Sequence, residues 1–163
     1  MTTYTAFIRG IGPTNPNMRN EKLRGVFEKL GFEDVKTVIS SGNVVFSSKS
    51  KNVGKLENII EKALTLRLGL ENAVFVRSKD ELDGLIRCDP FKGKEHGRKS
   101  YLIVTFTKGK PQEIFNVLDT TKGKTVDFMA KLEKEHGKVI TTRTWQTVKR
   151  IVEKMGTSTA TRR

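Results

Sequence analysis

The chain has 163 residues, of which 36% are hydrophobic and 30% are charged, and this length and composition suit a soluble globular protein of one domain or two small halves. Its 31 lysines and arginines exceed its 18 acidic residues and give a formal net charge of +13, which favours a polyanionic partner but also fits a lysine-rich surface that has none. The single cysteine, Cys88, excludes an intramolecular disulfide and a cysteine-based metal cluster and favours a reducing cytoplasmic location, and no apolar run approaches the roughly 18 residues that cross a bilayer.

Residues 1–77 carry the pattern of a ferredoxin-like, or split βαβ, half. Alternating β-type residues indicate strands, and apolar residues at i, i+3, i+4 and i+7 indicate helices. The first helix has this spacing at Leu23, Val26, Phe27 and Leu30. The predicted order is a strand in TYTAFIRG, that helix, two strands in DVKTVISSGNVVFSS, a helix at 53–68 and a strand in NAVFVRS.

The second part of the chain predicts a similar half. Residues 78–98 indicate a connecting helix and loop, with Ser78 as the N-cap. Residues 99–156 predict a strand in KSYLIVTFT, a short helix in PQEIFNVLD, strands in TVDFMA and KVITT, and a helix in TWQTVKRIVEKM. Residues 157–163 are predicted to be a flexible tail. The expected fold class is therefore α+β, with two ferredoxin-like (split βαβ) halves of which the second lacks a last strand.

Four segments resemble the signature segments of a known family. They are AFIRGIG near the N-terminus, TVISSGNVVFSS in the predicted hairpin, CDPF at 88–91 and TTRTWQTV near the C-terminus. Their order and spacing resemble the family called domain of unknown function 1697 over nearly the whole chain. The resemblance implies an α+β fold of ferredoxin-like halves and brings no established activity. Family members usually carry asparagine where this chain has Thr144 and Gln146.

Three candidate ligand-binding residues stand where the last predicted strand passes into the last helix. The free N–H groups of a helix start suit an anion, and Thr142 or Thr144 would cap them. Arg143 would add a planar, bidentate donor for phosphate or carboxylate. Trp145 would offer a stacking face for a base. Trp145 also begins the apolar stripe that includes Val148, so core packing is its alternative role.

Three further candidates lie at strand ends in the first half. Arg9 ends the first predicted strand, where side chains project into loop-lined clefts, and its alternative is an exposed charge at a sheet edge. Ser41 and Asn43 flank Gly42 in the predicted hairpin, and would supply hydrogen bonds beside Arg9. Their alternative is ordinary turn chemistry. The predicted anion site therefore combines Arg9, Ser41, Asn43, Thr142, Arg143 and Trp145.

Recognisable catalytic patterns are absent from the sequence. It has no phosphate-binding loop, no dinucleotide-binding glycine motif and no nucleophile elbow, so whether the protein is an enzyme stays open. The two histidines, His96 and His136, are too weak a signal to predict a metal site, and no cofactor is expected.

Two classes of function fit these features. The first is a basic protein that binds a polyanion such as nucleic acid, and no membrane is expected as a partner. The alternative is a small-molecule binder or an enzyme that acts on an anionic phosphate or carboxylate metabolite in a cleft between the halves. A domain that contacts another subunit through its helix faces is a third possibility, and the sequence favours no particular oligomeric state.

Overall fold

The computed structural model describes residues 1–12, 14–39, 42–94, 97, 100–108, 113–119, 125–137 and 139–156. The candidate Ser41 and the predicted tail at 157–163 lie outside these described residues. Within them the fold is α+β, with two antiparallel sheets and five α-helices. The elements are β1 (Thr2–Ile8), a 3-10 turn (Pro16–Met18), α1 (Asn20–Lys29), β2 (Glu33–Thr37), β3 (Asn43–Ser48), α2 (Val53–Leu68), β4 (Val74–Ser78), α3 (Lys79–Cys88), β5 (Ser100–Thr107), β6 (Ile114–Asp119), α4 (Thr125–His136), β7 (Ile140–Thr144) and α5 (Trp145–Met155).

The first half has the predicted order of elements. Its four strands form sheet A in the order β2-β3-β1-β4, with every neighbouring pair antiparallel. β1 lies in the middle, so Phe7 pairs with Asn43 on one side and with Phe75 on the other. The N-cap predicted for α3 is also observed, because Ser78 and Glu81 form a capping box.

The second half differs from its prediction. PQEIFNVLD contains the strand β6 rather than a helix, and TVDFMA begins the helix α4 rather than forming a strand. The order from residue 100 is therefore β5, β6, α4, β7, α5, and the predicted βαββα order is wrong. Its strands form the separate sheet B in the order β6-β5-β7. The arrangement as two ferredoxin-like halves is not confirmed.

Both errors have a physical cause. A proline such as Pro111 is common in the first turn of a helix, but Phe115 and Val117 alternate as in a strand, and β6 pairs with β5 over six consecutive residues. Cross-strand pairing on this scale outweighs a weak local helix signal. In TVDFMA the helical spacing continues into the charged stretch that follows. Leu132 stands four residues after Phe128 and is only 3% exposed.

Sheet A is buried on both faces, because successive residues of a strand point to opposite sides. On one face, Ala6 and Ile8 pack with residues of α1 and α2. On the other face, Phe7 packs with residues of sheet B, α3 and α5. The rings of Phe7 and Phe106 are stacked with their centroids 4.2 Å apart, so the two sheets meet directly at this pair.

The hairpin glycine, Gly42, provides a test of this packing. Its φ is +81°, and a Cβ atom there would lie 2.7 Å from the carbonyl oxygen of Ile8 and 2.6 Å from Cγ1 of Ile11. Gly31 has a similar φ of +88°, but a Cβ atom there would meet nothing within 4 Å. The two glycines therefore separate backbone strain from steric clash.

We expect Gly31→Ala to lower the free energy of unfolding by about 1 kcal/mol, from left-handed backbone strain alone. Gly42→Ala should lower it by about 3 kcal/mol or more, because the clash with backbone adds to that strain. Urea unfolding of both variants measures the difference. Equal losses of unfolding free energy in the two variants would contradict the close approach of Gly42 to Ile8.

Candidate functional site

Arg143 connects sheet B to sheet A. In β7 it stands opposite Val104 of β5, so its side chain shares the face of sheet B that packs on sheet A. A guanidinium has five N–H donors, and five oxygen atoms accept from this one. Nε donates to Oδ1 of Asn43 (2.6 Å), Nη1 to Oγ1 of Thr141 (2.7 Å) and the carbonyl of Thr142 (2.8 Å), and Nη2 to the carbonyls of Ile8 (3.1 Å) and Gly42 (3.4 Å).

The electrostatic surroundings of Arg143 suit a permanent internal cation. Its Cζ atom lies 5.4 Å from the ring centroid of Phe7, a cation–π distance. Burial lowers the pKa of Arg143 to about 10, so the group stays charged at neutral pH. A ligand phosphate would have to displace at least one of the five protein oxygens in order to bind this guanidinium.

Asn43 holds the other end of this connection. It is 1% exposed, and its side chain amide is used on both sides. Oδ1 accepts from Arg143, and Nδ2 donates to the carbonyl of Val38 at 3.0 Å. The amide therefore closes the β2–β3 turn and presents an oxygen to sheet B.

Arg9 also connects the end of β1 to the second half of the chain. From the end of β1 its Nη1 donates to the carbonyl of Ile140 at 3.1 Å, and its Nη2 pairs with Oε2 of Glu133 at 2.6 Å. Arg143 donates to the carbonyl of Ile8, the residue before Arg9. Arg9, Asn43 and Arg143 therefore lie close together where the two sheets meet. The three predicted residues converge, and the bonds described here join them to protein atoms.

Trp145 lies in the core at the start of α5. It is 6% exposed, and its ring meets the ring of Phe91 edge to face with centroids 5.4 Å apart. The helix N-terminus is capped by the chain itself, because Oγ1 of Thr144 accepts from the backbone N–H of Thr147 at 3.3 Å. Thr142 pairs with Thr105 of β5 and points to the opposite face of sheet B from Arg143.

A further buried arginine, Arg77, was not predicted from the sequence, and its side chain is 2% exposed. Its Nε pairs with Oε1 of Glu113 at 3.2 Å, and its Nη2 donates to the carbonyl of Thr107 at 2.6 Å. Its Cζ lies 5.5 Å from the ring centroid of Phe106. Arg77 stands two residues after Phe75, so the strand alternation already assigned it to the inner face.

A groove between α1 and α2 was also missed. Lys22, Gly25 and Lys29 line it from α1 at the helical spacing i, i+3 and i+7, and Arg67 lines it from the last turn of α2. Its volume is about 290 Å³, and Glu21 is the carboxylate among its lining residues. We call this the cationic groove. The Lys-x-x-Gly-x-x-x-Lys spacing on an amphipathic helix was the signal that could have found it.

The cations that line the groove lack the carboxylate partners that other cations of the protein have. Cations that form ion pairs within 4.0 Å among the described residues include Arg9, Arg77, Lys79 and Lys108. Within that part of the chain, Lys22, Lys29 and Arg67 pair with no carboxylate.

Two further features of the described residues bear on ligands. They contain no group of three or more histidine, cysteine, aspartate or glutamate side chains placed to hold a metal ion. None of their helices combines the length and the apolar character that a membrane span requires.

The five bonds of Arg143 give a stability prediction. Arg143→Lys keeps the charge, but an ammonium offers three donors in place of five and cannot span the two sheets as a fork. We expect the free energy of unfolding to fall by about 2 kcal/mol or more, because buried oxygens lose their donors. Arg150→Lys, on the exposed face of α5, is the matched control and should change it by less than about 0.5 kcal/mol. Equal stability of both variants in urea would contradict the bridging role.

Comparisons with known proteins agree with this fold. A family model described as "Protein of unknown function (DUF1697)" matches residues 1–135. The structure is similar to that of the conserved bacterial protein SP0830 from Streptococcus pneumoniae, with a TM-score of 0.72 and 17% sequence identity over 96% of this chain and 99% of that one. At that identity the likeness concerns the fold alone. No curated protein matches the chain. The family match covers most of the sequence, so the chain belongs to the DUF1697 family of proteins of unknown function.

Proposed function

We propose that this protein binds a polyanion such as nucleic acid, and that the cationic groove is its binding surface. The observation that supports the proposal is the group of Lys22, Lys29 and Arg67, which line one groove without a described carboxylate partner. Cations that are not neutralised by the protein are available to displace counterions from phosphates, which is the main source of affinity for nucleic acids.

The spacing of these cations suits a chain of phosphates. Lys22 and Lys29 are seven residues apart on one helix, so they lie about 10.5 Å apart along its axis. Each strand of a duplex carries one phosphate per about 3.4 Å of the duplex axis, so the two lysines can meet different phosphates of one strand. Arg67, whose guanidinium can bind a phosphate through two hydrogen bonds, lines the same groove from α2.

The surrounding surface adds to the attraction. Exposed cations continue along the same two helices at Arg24, Lys55 and Lys62, and the whole chain carries a net charge of +13. Such a field raises the local concentration of anionic ligands and their rate of association.

The alternative, an anionic metabolite held by Arg9, Asn43 and Arg143 between the halves, has less support. The five donors of Arg143 already meet protein oxygens, and Arg9 pairs with Glu133. A small anion there would have to compensate for the loss of those bonds, which are part of the connection between the sheets.

Binding is tested with a fluorescently labelled short DNA duplex and the corresponding RNA, followed by anisotropy at several salt concentrations. We expect the logarithm of the affinity to fall linearly with the logarithm of salt concentration for the wild-type chain. In the triple variant Lys22→Gln, Lys29→Gln, Arg67→Gln, the slope should become shallower by about 2.7, which is about 0.9 for each of three phosphate contacts on a duplex.

The matched control removes the same charge from the other side of sheet A. Lys149→Gln, Arg150→Gln and Lys154→Gln change three exposed cations of α5, which packs on the face of the sheet opposite to α1 and α2. This variant should keep most of the wild-type affinity. Equal losses in both triple variants would reject the groove as the site, and no binding by the wild-type chain at low salt would reject the function.

A further inference from the structure

Gly25 lies in the middle of α1 without a structural reason to be glycine. Only proline is a poorer residue for a helix interior. The backbone at Gly25 is helical, and a Cβ atom there would meet nothing within 4 Å. Gly42, in contrast, combines a positive φ with close neighbours on two sides. Neither backbone conformation nor packing therefore requires glycine at position 25.

The position of Gly25 gives it a different role. It follows Lys22 by three residues and precedes Lys29 by four, so it lies between the two lysines on the wall of the cationic groove. Glycine is the residue that lets another backbone approach a helix most closely, because it has no side chain to keep that backbone away. The missing side chain keeps this wall open between two cations.

Resting on the proposed function, we infer that the sugar-phosphate backbone of a nucleic-acid strand lies directly against α1 at Gly25. Lys22 and Lys29 bind phosphates on either side of the contact, and Arg67 binds the strand from α2. A methyl group at position 25 would hold the strand away by about 1.5 Å, the length of one C–C bond. The strand would then lose its close contact with the helix backbone, and the side chains of Lys22, Lys29 and Arg67 would have to extend further to keep their hydrogen bonds to phosphate oxygens.

A strand fits this site better than other sources of phosphate. An isolated phosphate ion offers a single phosphate group, whereas a strand offers a separate phosphate to each of Lys22, Lys29 and Arg67. The headgroup layer of a membrane is broad, whereas the wall at Gly25 belongs to a recess of about 290 Å³ between two helices. The distributed charge and the recess together favour a narrow polyanion, and a nucleic-acid strand is one.

The test compares Gly25→Ala with Gly84→Ala. Gly84 also lies inside a helix, α3, where a Cβ atom would make an ordinary contact of 3.7 Å with Nη2 of Arg87. Each variant should raise Tm by about 2–4 °C, because alanine replaces glycine in a helix. Gly25→Ala should weaken binding of the labelled nucleic acid by about tenfold, the equivalent of losing one good contact. Gly84→Ala should bind as the wild type does.

A bulkier substitution at position 25 and two competing ligands complete the experiment. Gly25→Gln, which adds a longer neutral side chain, should weaken binding further than Gly25→Ala. Inorganic phosphate and vesicles of an anionic phospholipid should each compete more weakly than unlabelled nucleic acid of equal phosphate content. Stronger competition by either would overturn the assignment of a strand to this site.

The outcomes separate this inference from the function on which it rests. If the wild-type chain binds and the Lys22/Lys29/Arg67 variant does not, but both Gly25 variants keep full affinity, the contact at Gly25 is wrong and the function stands. If the wild-type chain binds no nucleic acid, the proposed function fails together with the inference. Weaker binding by a Gly25 variant whose Tm has risen supports the contact, because unfolding cannot explain that loss.

Discussion

The packing of sheet A on sheet B depends on a stack of four groups, Arg143, Phe7, Phe106 and Arg77. The two rings lie face to face, and each is covered by a guanidinium from the opposite sheet. A charge removed from water is tolerated only when hydrogen bonds replace its hydration, and both arginines meet this condition with carbonyl and side chain oxygens. The aromatic stack and the arginine bonds therefore constrain the position of the same two sheets.

This arrangement changes the meaning of a positive net charge in this chain. Arg9, Arg77 and Arg143 contribute to the total of +13, but their donors are directed at protein oxygens. Lys22, Lys29 and Arg67, in contrast, pair with no carboxylate among the described residues. The distinction depends on which acceptors surround each cation, and composition alone cannot make it.

The sequence predicted local structure well where a single element explained its own pattern. The first half, the cap at Ser78 and the helix that begins near Trp145 follow from periodicity and capping residues. PQEIFNVLD forms a strand and TVDFMA begins a helix, the reverse of the prediction, because pairing with β5 and the continuation of a helix past a charged stretch depend on residues outside these short segments. At the candidate site, the convergence of Arg9, Asn43 and Arg143 was anticipated. Their bonds were not, since Asn43 and Arg143 are 100 residues apart in sequence.

The crossed arrangement of the stack has a consequence for how the molecule is assembled. Each sheet supplies the cation that covers the other sheet's ring, so a polypeptide containing only one of them would expose an aromatic face to water and leave its guanidinium without the acceptors of the other sheet. Neither portion is a self-sufficient module. An insertion, a chain break or a circular permutation between β4 and β5 is compatible with this architecture only if both portions stay present and can dock. The two sheets are therefore expected to unfold and refold as a single cooperative unit.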